Sequence, residues 1–185
     1  MDKKIKIFIF AFIIIFSLFL TISVSAQSLE WRKYESNNFI IFFPAEFEYQ
    51  AKETLYHLEN QRKKVSNLTN NKLDEKIAVI IEDKGQLTNA FADPINNKIG
   101  IFIYPPGSYS TLSAYENFFR LVNTHELTHL GHMTNSSDLS SINKKLFGNL
   151  YSPNIHSPLW LIEGIAVYNE SQLSPFSGRL NSSYY

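Results

Sequence analysis

Apolar residues crowd the start of the chain and then recur in short blocks of changing period. Lys3, Lys4 and Lys6 precede an apolar core from Ile7 to Leu20, and Val24-Ser25-Ala26 offers small residues just before Gln27. A basic start, a core of that length and a small-residue site predict a secretory signal peptide over residues 1–26, and hence an exported protein, periplasmic or extracellular. Ile5 to Val24 is also just long enough to span a bilayer, so an uncleaved membrane anchor is the competing reading.

Beyond the leader, Trp31 to Glu35 and Phe39 to Phe43 read as strands joined by the turn signal Ser36-Asn37-Asn38. Pro44 closes the second, and Ala45 to Ser66 then carries Phe47, Ala51, Leu55, Leu58 and Val65 at helical spacing. Ile77 to Ile81 is a continuous apolar run, the mark of a buried strand. Lys98 to Tyr104 reads as another, closed by Pro105-Pro106-Gly107. Between these two, Asn89-Ala90-Phe91-Ala92-Asp93 is either an edge strand ended by Pro94 or a connecting loop. Tyr115 to Val122 has no Pro or Gly and leads into a helix with Phe118, Leu121, Val122 and Leu130 as apolar positions. Pro158 suits a helix start, and Trp160 to Tyr168 is an amphipathic run that puts Glu163, Ala166, Val167 and Glu170 on one face. The expected fold class is α+β, a mixed sheet packed on helices, with residues 27–185 forming one domain.

Composition narrows the setting. The chain holds 17 basic and 17 acidic residues; Lys3, Lys4, Lys6 and Asp2 belong to the leader, so 14 basic and 16 acidic residues remain, a net charge near −2. That balance gives no electrostatic footprint for nucleic acid. There is no cysteine, which excludes disulfides and a lipid-modified cysteine. An exported chain of this kind is held by its core, and by a metal if one binds. No repeat or low-complexity tract marks an internal linker.

The chemistry concentrates in His125-Glu126-Leu127-Thr128-His129 and in Glu163. Residues four apart on a helix project from one face, so His125 and His129 can offer imidazole nitrogens to one metal ion while Glu126 points beside it. A strand would send Glu126 to the opposite face. Catalytic zinc uses three protein ligands and an open position, and Glu163 is the candidate third ligand. The alternative makes both histidines ordinary helix residues and Glu163 a solvated carboxylate.

These residues carry a family resemblance. The two segments resemble the gluzincin metallopeptidases, and Trp160-Leu161-Ile162-Glu163-Gly164-Ile165-Ala166-Val167-Tyr168-Asn169-Glu170 resembles the third-ligand helix of the M1 aminopeptidases. The chain beyond the leader also resembles the peptidase-like domain that precedes TolB-like β-propellers in some bacterial envelope proteins. The resemblance implies a zincin-like mixed sheet with an edge strand beside the HExxH helix. It further implies zinc on His125, His129 and Glu163, and Glu126 as general base. Glu170 would then orient a ligand histidine, a role that physics favours because such an imidazole donates its other N–H to a carboxylate or carbonyl; a solvated helix-end Glu is the alternative. Asn89, Ala90, Phe91 and Ala92 resemble the thermolysin-like edge strand, whose backbone holds an extended peptide or protein substrate.

The departures are specific. The interval from His129 to Glu163 is longer than in that pattern, so Thr134 to Ser157 is an insertion of loop or short helices. His132 and Asn135 stand where a metzincin has Gly and His. His132 either lines the site or ends the helix as a polar residue. The M1 G-x-M-x-N pattern is absent, so nothing specifies an aminopeptidase. Tyr168 falls on the wrong helix face for an oxyanion donor, which leaves His156, Tyr151, Tyr184 and Tyr185 open for that role. Fifteen residues come after Glu170, where gluzincins continue into a helical subdomain and the envelope proteins into a propeller. The expectation is a C-terminally truncated domain, with Trp160, Leu161, Ile165 and Phe176 to Tyr185 packing against residues encoded further on in a complete version. The expected function is an exported zinc metallopeptidase that touches membrane only through its leader. A non-catalytic zinc-binding or interaction domain is the alternative, and a small metal-free secreted binding protein is a third reading.

Overall fold

The computed structural model of the chain describes residues 3–20, 29–85, 87–104, 118–136, 142, 146–150, 152, 154–173 and 178–181. The expected cleavage site, the Pro105-Pro106-Gly107 stop, the start of the Tyr115 run, Tyr151, Phe176 and the last two tyrosines lie outside them. Helix α1 spans Lys3–Leu20. No helix among the described residues is long and apolar enough to cross a membrane.

Five strands form one mixed sheet: β1 (Trp31–Glu35), β2 (Phe39–Pro44), β3 (Ile77–Glu82), β4 (Ala90–Asp93) and β5 (Lys98–Phe102), in the order β1-β2-β3-β5-β4. β1 and β2 are an antiparallel hairpin, whose turn is held by Glu59 accepting from Ser36 Oγ (2.5 Å) and Asn38 Nδ2 (2.8 Å). β2 to β3 and β3 to β5 are parallel, while β4 runs antiparallel to β5 at the sheet edge. The segment Asn89 to Asp93 is thus an edge strand, beginning at Ala90; Asn89 adds a carbonyl that accepts from Phe102 N at 2.9 Å.

The alternation of the strands decides their faces. Phe39, Ile41 and Phe43, then Ile77, Val79 and Ile81, then Ile99 and Ile101 all point inward and are buried. Each such side chain contributes about 1.5–3 kcal/mol of transfer free energy. A one-residue slip would expose the whole set, so the pattern also pins the register. Ala51, Leu58 and Val65 of α2 (Glu48–Thr69) and Leu127 and Leu130 of α3 (Phe118–Met133) close this core.

The first helix expectation needs adjustment at both ends. Ala45–Phe47 is a 3₁₀ turn rather than the first turn of α2. At the other end α2 continues past Ser66 to Thr69, where Asn70 takes a left-handed conformation (φ 51°) and caps it. The fourth helix, α4, is Leu159–Leu173 and starts directly after Pro158 as expected. Ala166 and Glu170 of the expected face are buried together with Asn169 and Ser171, whereas Leu159 and Trp160 are more than two-thirds exposed and Leu161 and Ile165 are half-buried. Polar chemistry, rather than hydrophobic burial, sets how α4 faces its neighbours.

Candidate metal centre

Helix α3 runs through the middle of the molecule, and nearly all of its residues from Asn123 to Gly131 are buried. Burial of polar residues there requires internal partners. Thr124 and Thr128 hydroxyls donate to the carbonyls of Arg120 and Thr124, each at 2.8 Å, without leaving the helix. α4 lies antiparallel to α3: Glu163 meets both His125 and His129, Glu170 meets His125, and Arg120 Nη2 donates to Leu173 O at 2.8 Å.

His125 Nε2 and His129 Nε2 are 3.0 Å apart, His125 Nε2 is 3.3 Å from Glu163 Oε2, and His129 Nε2 is 3.6 Å from Glu163 Oε1. Ligands at zinc-bond lengths of 2.0–2.2 Å in a tetrahedron are roughly 3.3–3.6 Å from one another; two of the three separations match that spacing and the His125–His129 separation is shorter. His125, Glu126 and His129 are themselves a buried group able to hold a metal, their ligand atoms all lying within 4.8 Å of one another. Ion-pair distances place Glu163 beside that group, its two oxygens reaching both histidines from a separate helix. Its side chain is 48 % exposed.

Behind this triangle, His125 Nδ1 lies 3.0 Å from Glu170 Oε2, and Glu170 is completely buried. Arg179, from a 3₁₀ turn at Arg179–Asn181, donates Nε to Glu170 Oε1 (2.5 Å) and Nη2 to Oε2 (2.9 Å), a two-pronged charge-assisted pair. Arg179 Nη2 also stands 2.7 Å from His125 Nδ1. Both approaches to Nδ1 cannot be hydrogen bonds at once. With Nε2 turned toward the metal position, the ring proton sits on Nδ1 and goes to Glu170, because a guanidinium has only protons to offer. Glu170 therefore orients His125, and Arg179 orients Glu170. Arg179 escaped the sequence reading because no spacing rule ties an arginine to a carboxylate nine residues away outside a helix.

Electrostatics suit the donor set to a cation. Burial pushes His129 down to about 3, and the nearby charges of His125 and His132 act in the same direction, so its lone pair is free at neutral pH. Burial raises Glu126 to about 7; His125 opposes that rise and Glu163 adds to it. For Glu170, burial acts upward but is outweighed by the hydrogen bonds from His125 and Arg179, which hold it ionised below the usual carboxylate range.

β4 brings the cleft. A cavity of about 390 Å³ is lined by Asn89, Ala90, Phe91 and Ala92 on one side and by His125, Glu126, His129 and Glu163 with Met133, Leu159 and Ile162 on the other. A second, of about 150 Å³, adjoins it on the side of Phe118, Leu121, Val122 and Arg179. A hollow of about 470 Å³ beside the β1–β2 turn offers only Glu59 as a carboxylate, already bound by that turn. Tyr168 is exposed, in keeping with its expected outward face, and His156 is exposed and lines neither active-side cavity. No protein-family model matches the chain, and no curated protein matches it in a direct comparison.

Proposed function

We propose that this chain is a zinc-dependent peptide hydrolase of the gluzincin type, with a zincin-like arrangement of sheet and helices. The observation that carries the reading is the convergence of His125, His129 and Glu163 at 3.0–3.6 Å beside Glu126 and along a free sheet edge. A zinc ion held by those three residues supplies Lewis acidity, lowering the pKa of water and polarising a carbonyl.

The chain's own residues divide the remaining work. Among the described residues the outer edge of β4, at Ala90 to Ala92, pairs with no further strand, and an extended peptide adds to it through backbone hydrogen bonds independently of its side chains. That pairing sets the scissile carbonyl over Glu126. Glu126 accepts the proton of the attacking water and passes it to the leaving amine; a carboxyl that titrates near 7 in the metal-free site is poised for both directions. Glu170 and Arg179 keep His125 in one tautomer and one orientation throughout. The exported location inferred from the leader fits a peptide or protein substrate outside the cytoplasm.

Glu126→Gln tests the assignment, because the amide keeps the shape and cannot take the proton. Zinc content should be unchanged, and cleavage of a mixed peptide pool, read by mass spectrometry, should fall by about 10²-fold or more. Equal cleavage by the variant would remove Glu126 from the mechanism. Zinc binding without cleavage by either protein would favour a non-catalytic zinc domain.

A further inference from the structure

His129 presents Nε2 to the metal position, so its Nδ1 is the nitrogen that must carry the proton. That Nδ1 is buried and has no hydrogen-bond partner among the described residues, and the same holds for Nε2 of His132. His125 differs, since its Nδ1 is met by Glu170. The two unpartnered nitrogens belong to rings three residues apart on α3. Residues three apart on a helix are neighbours on its surface, so the two rings stand side by side along α3. One nitrogen is a donor; the other is an acceptor when the His132 proton sits on its Nδ1. Each atom supplies what its neighbour lacks.

We infer that His132 is a positioning residue for the metal centre, accepting the Nδ1 proton of His129 across one bridging water and so fixing the ring that offers Nε2. The inference rests on the reading of His125, His129 and Glu163 as metal ligands. The two rings are not in direct hydrogen-bond contact, and a single water satisfies both at nearly the strength of a direct bond. The two ligand histidines are then held by unlike partners, a buried carboxylate for His125 and a neutral imidazole for His129. His132 lines neither cavity of the cleft, so it acts through His129 and not on substrate.

The test uses the full chain, His132→Ala and His132→Gln, with zinc affinity measured by competition with a chromophoric chelator and ring nitrogens followed by ¹⁵N NMR. His132→Ala should weaken zinc about 10- to 100-fold and speed exchange of the His129 Nδ1 proton, leaving that of His125 unchanged. His132→Gln, which returns an acceptor oxygen, should recover most of both. Metal-free melting of each variant identifies any general loss of folding. The wild-type spectrum is an independent check, because a His132 protonated at Nε2 overturns the inference. So does an alanine variant with wild-type affinity and exchange, which leaves the ligand assignment standing. A wild-type chain that takes up no zinc overturns the ligand assignment itself, before any variant is compared.

Discussion

Glu170 is fully buried, yet it is ionised, because Arg179 grips both of its oxygens and His125 approaches one. Removing one partner from a buried pair costs more than the pair contributes, about 3–5 kcal/mol. Glu170→Ala should lose about that much stability in urea, measured without metal, and bind zinc about 10- to 100-fold more weakly. A variant of wild-type stability would mean that Arg179 and His125 find other partners. Glu126 behaves in the opposite sense. Its folded value of about 7 lies above the unfolded carboxyl, so it favours the fold fully only at low pH and that support is lost as pH rises from about 4 to 7. In the presence of chelator, Glu126→Gln should therefore be more stable than the wild type at pH 8 by on the order of 3 kcal/mol, with the gap closing toward pH 4. A pH-independent difference would contradict the burial argument. The convergence of His125, Glu126, His129 and Glu163 was legible in the sequence because helical spacing sets which residues share a face. The contact of Arg179 with Glu170 was not, since it depends on where a distant turn comes to rest.

The strands were legible for a different reason. β2 and β3 are short apolar runs whose alternation reports their burial, whereas β1 was legible from the turn signal after it and the edge strand β4 was one of two readings that Pro94 left open. Sheet order was not legible, because inserting β5 between β3 and β4 depends on contacts distant in sequence. The ends of α2 were misplaced because a 3₁₀ turn and a left-handed Asn70 leave little trace in hydrophobic spacing. The α2–α3 contact was invisible too, and it turns on Gly131. A Cβ added there would lie 2.6 Å from Thr69 Oγ1 and 3.0 Å from its Cγ2, at a crossing also tied by Asn71 Nδ2 to Gly131 O (2.9 Å) and Asn135 Nδ2 to Thr69 O (2.9 Å). Gly131→Val should cost roughly 1–3 kcal/mol, seen as a lower urea midpoint at an unchanged m-value. Wild-type stability would show that the two helices can separate freely.

Among the described residues the sheet is backed by α2 and α3, and the candidate metal centre lies where α3, α4 and the edge strand β4 meet. Because the ligands come from two helices far apart in sequence, an ion at that point binds the folded chain and not the unfolded one. Free zinc at 100 times its dissociation constant should add about 2.7 kcal/mol. At about 2–4 °C per kcal/mol for a domain of this size, chelation should lower the melting temperature by about 5–10 °C. An unchanged melting temperature would separate the ion from the fold. The most direct examination of the proposed centre is X-ray absorption at the zinc edge on the zinc-loaded chain. Two imidazole nitrogens and carboxylate or water oxygens at about 2.0–2.2 Å in a four-coordinate shell is the expected spectrum. A six-oxygen hydrated ion, or zinc lost on buffer exchange, would contradict the ligand set on which the hydrolase reading stands.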